Sequence, residues 1–245
     1  MSAFTYRPIP LLMQYLTGSD NVTATMVIFS FFAVASIIFI LFPFHEYAHA
    51  LAAKLLGDDT AEREGRLTLN PIVHIDPMGA FFMLLAPFGW AKPVPVDPRN
   101  ANRKITMRGF MSLTAAAGPV SNILLSLVFV IIAKIMGRLS GDSEMLIQFA
   151  GALWLVADIS IFLAVFNLIP IPPLDGSKIL MFFIPNRASY WLEKNANILR
   201  IVVLVSILAP FPFNILRVII NFISGFIMLA IDFATFFLDI GTGVF

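Results

Sequence analysis

His45-Glu46-Tyr47-Ala48-His49 reads H-E-x-x-H within a long apolar run. On a helix, residues four apart share one face, with Cβ atoms ~5–6 Å apart. Two imidazoles so placed can reach one Zn²⁺ at ~2.0–2.1 Å each. Glu46, one position on, is aimed at the remaining face of the metal, where a bound water would sit. There it can take that water's proton and later pass it to a leaving amine. The plainer alternative is a pair of satisfied polar groups bridging helices. Against it, ionisable residues in a membrane segment cost several kcal/mol and mark function. Two of the chain's three histidines also fall in the motif.

A catalytic zinc needs a third protein ligand and one open position. The chain has no Cys, so disulfides and thiolate chemistry are absent and the ligand must be His, Asp or Glu. His74, Asp76, Asp158, Asp175 and Asp232 are the candidates. Asp175 fits best, in Asn167-Leu-Ile-Pro-Ile-Pro-Pro-Leu-Asp175-Gly176. The prolines stop the preceding helix, and Gly176 lets the chain turn straight after the carboxylate. His74 is the alternative, in a stretch with turn chemistry, Asn70-Pro71-Ile72-Val73-His74-Ile75-Asp76-Pro77.

The elements that must position these residues are membrane helices. Hydrophobic residues make up 59% of the 245 and charged ones 13%, against ~45–50% and ~25% in soluble proteins. Such a chain cannot clothe a globule in polar surface. A net charge of +1 leaves no field for nucleic acid. Val22–Phe42 is uncharged and long enough to span a ~30 Å core; we read it as an uncleaved anchor. Gly109–Ala133, Leu146–Ile169, Ile201–Phe213 (its helix starting near Asn195) and Asn214–Ile240 follow. Five spans are expected, with a sixth as the upper count. Met78–Trp90 is too short to span and reads as a re-entrant or interfacial piece.

Lys and Arg set the orientation. Arg63, Arg66, Lys92, Arg99, Arg103, Lys104 and Arg108 lie between the first and second spans, and Lys178, Arg187 and Lys194 after the third. Arg7, Lys134 and Arg138 fall on the other side. With five alternating spans, the richer side is the cytosol, the N-terminus is outside and the C-terminus inside. The H-E-x-x-H end of the first span and the Asp175 end of the third then share the cytosolic side.

Three motifs together carry a resemblance: His45–His49, Gly118-Pro119-Val120-Ser121-Asn122, and Asn167…Leu174-Asp175-Gly176. The chain resembles the site-2 protease family of intramembrane zinc metalloproteases. Gly65–Pro71 and Gly89–Val96 are similar to its compact branch, without PDZ or CBS domain. The resemblance reaches from about Val22 to Lys178. It implies one Zn²⁺ on His45, His49 and Asp175, Glu46 as base, and hydrolysis of peptide bonds in or near a substrate's transmembrane segment. It also makes Asn167 a residue that orients or polarises the substrate; its plainer role is an interhelical hydrogen bond. The Thr114/Gly118/Asn122 stripe reads as close helix packing, with Asn122 a further candidate for the site wall.

The expected fold is an all-α polytopic membrane protein of five to six transmembrane helices. It forms a single metalloprotease domain over 1–245: the zinc-motif helix at 22–56, a cytosolic β and re-entrant segment at 57–108, and the remaining helices at 109–245. Arg66–Leu69 and part of Lys92–Val96 alternate polar and apolar, which suggests short strands near the zinc, with a substrate adding to their free edge. The expected partners are a transmembrane protein or peptide substrate and the lipid bilayer, in the cell membrane with the active site nearer the cytosol. Two other readings stay open. One is an ion or metal transporter using Asp158 and Asp232 in mid-span. The other is a scaffold that keeps the zinc for stability.

Overall fold

The computed structural model describes residues 8–18, 22–86, 89–141, 143–208 and 215–238. Arg7 and the stretches 209–214 and 239–240 of the last two expected spans lie outside these residues.

The first expected span and the H-E-x-x-H segment form one helix. After the short α1 (Pro8–Leu16), α2 runs 32 residues from Ala24 to Leu55. At ~1.5 Å per residue that is about 48 Å, so the histidines sit toward one end. Thr23 caps its start by accepting from the Met26 N–H. A π turn at Ile37–Leu41 interrupts it, where the Phe42 N–H reaches the Ile37 carbonyl. Pro43 follows at once. It has no N–H, and its ring crowds the carbonyl four residues back; the wider turn absorbs that conflict just before the motif.

Two single-turn helices, Thr60–Arg63 and Pro71–His74, lead into α3 (Pro77–Leu85). Asp76 caps α3 through the Gly79 N–H. Nine apolar residues are too short to cross, as expected of a re-entrant or interfacial piece, and Met78, Phe81 and Leu85 remain exposed.

The small sheet expected here does not form. Among the described residues there is no strand, only a single antiparallel bridge between Ile75 and Ala91. Side chains have replaced the ladder. The Arg66 guanidinium donates to the Lys92 carbonyl at 2.6 Å and the Pro93 carbonyl at 3.3 Å, and Pro93 and Pro95 bring no donors of their own.

The long helices α4 (Met107–Leu139) and α5 (Glu144–Asn167) form an antiparallel hairpin. Ser160 on α5 donates to the Asn122 carbonyl on α4. The short helices α6 (Asp175–Phe183) and α7 (Asn186–Lys194) follow. Arg108 pins their junction to the start of α4, donating to the Ile184 carbonyl and Ser189 Oγ, both at 3.0 Å. The chain continues through α8 (Ala196–Leu208) to α9 (Ile215–Ala234). The core lies where Val130, Ala157 and Ile161 of the hairpin meet Ile220, Met228 and Ile231 of α9. A second cluster joins Ala33 and Leu41 of α2 to Val156 and Ile159 of α5. On the outside of α9, Phe222, Phe226, Leu229 and Phe233 are exposed, the surface a helix turns to lipid.

Among the described residues four helices are long and apolar enough to cross a membrane: α2, α4, α5 and α9. The protein is an all-α polytopic membrane protein. One expectation about the path changes. Lys134, near the end of α4, meets the Asp232 carboxylate, near the end of α9, at 2.7 Å, and Ser126 meets Met228 along the same pair. The two helices therefore run in the same direction. Since α5 returns from the end of α4, α9 starts on the side where α5 finishes. The thirteen-residue α8 thus adds no net crossing, and the end of α9 lies level with the end of α4, not on the zinc-motif side.

Candidate active site

Three helix ends meet around His45, His49 and Asp175. The two histidines follow the π turn on α2, one above the other. Their rings are edge-on with centroids 4.6 Å apart. Asp175 opens α6, where the helix N-terminus favours a carboxylate. It can do so because Gly176 follows: a Cβ there would lie 2.1 Å from the Leu168 carbonyl oxygen. The proline-rich turn is thereby folded back tightly onto the end of α5.

The donor atoms converge. His45 Nε2 and His49 Nε2 are 3.1 Å apart, and Asp175 Oδ2 is 3.2 Å and 3.1 Å from them. His45 and Asp175 are buried, each 7% exposed, and His49 is partly buried. His49 Nδ1 donates to the Thr114 carbonyl at 2.7 Å, which turns the lone pair of its Nε2 toward the other two. Hydrogen-bonding one ring nitrogen to fix the other is how metal-ligating histidines are oriented.

The donor set suits zinc. Ligand atoms at ~2.0–2.2 Å from a tetrahedral zinc lie roughly 3.3 Å from one another, close to the spacing seen. Two imidazole lone pairs and a carboxylate oxygen facing one another at this distance repel unless a cation or shared protons lie between them. Space is kept for it by α4. A Cβ on Gly118 would fall 2.5 Å from His49 Nε2 and 2.6 Å from His45 Nε2, so only glycine leaves that face of the nitrogens open.

Glu46 stands apart from the triangle. Its Oε2 accepts from the Val94 N–H at 2.9 Å. A cavity of about 270 Å³ takes in His45, Glu46, His49 and Asp175, with Asn122 and Asn167 in its wall. Asn167 donates to the Leu163 carbonyl at 2.9 Å, which fixes its amide. Asn122 is 1% exposed, and its Oδ1 has no partner. Lys178 Nζ lies 3.7 Å from Asp175 Oδ1.

The stretch from Gly89 to Asp97 forms the remaining wall. Besides Arg66, it is tied by the Lys92 N–H donating to the His74 carbonyl at 2.8 Å. Asp58, with no exposed surface, fastens its far end, accepting from the Asp97 N–H at 2.6 Å and Asn100 Nδ2 at 3.0 Å. Burial pushes the Asp58 carboxyl up, but donors from Thr60, Asp97 and Asn100 outweigh it and hold it below the usual carboxylate range.

The other sequence candidates lie elsewhere. The His74 ring is buried and bound to the Thr68 carbonyl at 2.8 Å, and Asp76 is the cap of α3. Asp158 lines a separate cavity of about 560 Å³ with Thr23, Thr25 and Trp154, and Asp232 is paired with Lys134. Gly118, the Thr114 carbonyl, Asp58 and the Val94 amide were not legible as site groups. The Thr114/Gly118/Asn122 spacing and the Gly118–Asn122 motif point toward the first two and the Lys92–Val96 stretch toward Val94, whereas nothing in the sequence points toward Asp58.

Comparison with known proteins identifies the family. The model of "Peptidase family M50" matches residues 135–210, a stretch that holds Asn167 and Asp175. The chain is 40% identical over 190 residues to "Putative zinc metalloprotease YwhC" of Bacillus subtilis (strain 168), covering 76% of this chain and 75% of that one. It is 29% identical over 140 residues to "Putative zinc metalloprotease Rip2" of Mycolicibacterium smegmatis (strain ATCC 700084 / mc(2)155), covering 54% and 49%. No solved structure matches. With a zinc-compatible donor set at the meeting of its helices and a relative this similar over most of both chains, the protein belongs to peptidase family M50, the site-2 protease family, and is a zinc metalloprotease.

Proposed function

We propose that the protein is an intramembrane endopeptidase of the H-E-x-x-H type. It forms one membrane-embedded domain over 1–245 and cleaves peptide bonds in or beside the transmembrane segments of other membrane proteins. The observation that carries this reading is the convergence of His45 Nε2, His49 Nε2 and Asp175 Oδ2 to 3.1–3.2 Å beside a glutamate that takes no part in the triangle.

His45, His49 and Asp175 would hold the zinc. When bound, it supplies Lewis-acid charge that acidifies water and polarises a carbonyl. The chain's own groups do the rest. Glu46 takes the proton of the attacking water and gives it to the departing amine nitrogen. Asn167 keeps one amide N–H beyond the one given to Leu163, and with it steadies the substrate carbonyl oxygen as charge builds there. Asn122, Lys178 and the carboxylates give the cavity polar surface along which water can enter an apolar bundle. The cluster of Lys and Arg in 57–108 and 178–194 supports a cell-membrane protein whose site faces the cytosol.

A peptide bond in a helix is wrapped in its own hydrogen bonds, and in lipid an unsatisfied backbone group costs several kcal/mol. The substrate must therefore be opened where it finds other partners. The stretch Lys92–Asp97 is held against the cavity by Arg66 and Asp58, and we assign it that role: the substrate lies along it as an added strand.

The test is metal analysis beside cleavage of a model transmembrane substrate in detergent. Zinc should be present at one ion per chain, chelation should abolish cleavage and added zinc restore it. Cleavage that survives complete removal of the metal would refute the reading.

A further inference from the structure

The stretch along which a substrate would lie is short of donors. Of the five residues Lys92–Val96, Pro93 and Pro95 have no N–H, and the Lys92 N–H is spent on the His74 carbonyl at 2.8 Å. Only Val94 and Val96 remain to offer an N–H to a chain laid beside them. Both line the cavity that takes in His45, His49 and Asp175. The Val94 N–H points at Glu46, 2.9 Å from Oε2. The alternating prolines also bias Lys92 and Val94 toward extended backbone, the conformation that accepts a neighbouring strand. One amide thus faces two claims: the base holds it now, and a bound substrate would need it.

We propose that the Val94 amide changes partners during the reaction. In the resting protein it donates to Glu46. A substrate chain takes it through one of its own carbonyls, and the carboxylate so released is free to accept a proton from water. Binding and activation are then one event. A carbonyl inside an intact helix points along the helix axis toward its own N–H partner and not sideways toward Val94, so the site favours a segment that has already unwound. Val94 is on this view a substrate-positioning residue whose backbone, not its side chain, does the selecting. The inference rests on the endopeptidase reading above and goes beyond it.

The test separates the two. Binding of acetohydroxamate and of a leucine-rich tripeptide hydroxamate to the zinc-loaded protein is measured by calorimetry. Both groups seek the metal, but only the second carries a peptide backbone. The ratio of the two affinities isolates what the backbone contributes. Val94→Pro removes the N–H while suiting extended backbone, and should lower the ratio about tenfold, the worth of one backbone hydrogen bond near the top of its usual range. Glu46→Ala removes the competing acceptor and should raise the ratio about threefold or more by the same arithmetic. An unchanged ratio in Val94→Pro would overturn the exchange. So would an unchanged or lowered ratio in Glu46→Ala, which decides the matter alone if Val94→Pro does not fold. If the wild-type protein binds the tripeptide hydroxamate no better than acetohydroxamate, the endopeptidase reading itself falls, and the exchange with it.

Discussion

The two ends of the helix bundle bury charge in opposite ways. At one end His45, His49 and Asp175 bring three acceptors to within 3.2 Å of one another. Among the described residues no other side chain donates into the gap between them, and Gly118 leaves it open. At the other end the Lys134 ammonium, its side chain 1% exposed, meets the Asp232 carboxylate at 2.7 Å and the Asp232 carbonyl at 3.2 Å. The Trp154 ring lies 6.0 Å away. That cluster carries its own counter-charge and ties α4 to α9. The first is relieved by a cation or by shared protons, and its spacing and donor set suit zinc. Buried polar groups that satisfy one another are structural; buried acceptors that converge without a donor mark a place for a ligand.

The proposed ligand set sharpens this contrast most strongly. Asp175→Ala should weaken zinc binding by more than about 100-fold, since even outer partners of a metal are worth ~10–100-fold. His74→Ala should leave zinc content unchanged. Metal analysis of both variants checks this, and the reverse pattern would move the third ligand to His74. Gly118→Ala comes next. Its Cβ intrudes on both Nε2 atoms, so zinc affinity should fall about tenfold or more while the helical circular dichroism stays as in the parent.

At the opposite end, Asp232→Ala should cost about 1–2 kcal/mol of stability. The full penalty of an orphaned buried charge is discounted because the carboxylate is half-exposed and the carbonyl contact remains. Zinc content should not move. A loss of zinc in this variant would show that the two ends are coupled, against the separation drawn here.

The smallest effect is expected at Asp58. A carboxyl lowered on folding contributes stability that is present above its unfolded pKa of ~3.9 and is lost as pH falls through its folded value. Thermal midpoints between about pH 3 and 7 should therefore fall below about pH 4 in the wild type. Asp58→Asn should start lower and fall less. Asp97, held at about 2 by Arg99, keeps its charge through most of that window. Parallel curves for the two proteins would remove Asp58 from the account of how the 89–97 wall is held.

What was legible in the sequence was what local rules decide. A four-residue spacing on a helix places His45 against His49 without help from the rest of the fold. The prolines before Asp175 and the glycine after it announce a stop and a turn. Four of the five expected span positions followed from apolar length. The wall at 89–97 did not follow, because a strand needs a partner and alternation says nothing about who the partner is. Here Arg66 took the carbonyls a ladder would have used. The direction of α9 was equally hidden: α8 is apolar enough to suggest a span, and only the contact of Lys134 with Asp232 reveals that it adds no net crossing. Gly118 was read as packing, and it does pack closely, but against imidazoles.

The central claim is that one end of the bundle holds zinc with three residues and keeps Glu46 apart as the base. Glu46→Gln tests it most directly, with zinc content and cleavage of a model transmembrane substrate measured on the same purified protein. The account predicts one zinc per chain, as in the wild type, and no cleavage. A variant that still cuts at near the wild-type rate, or that loses its zinc, would contradict it.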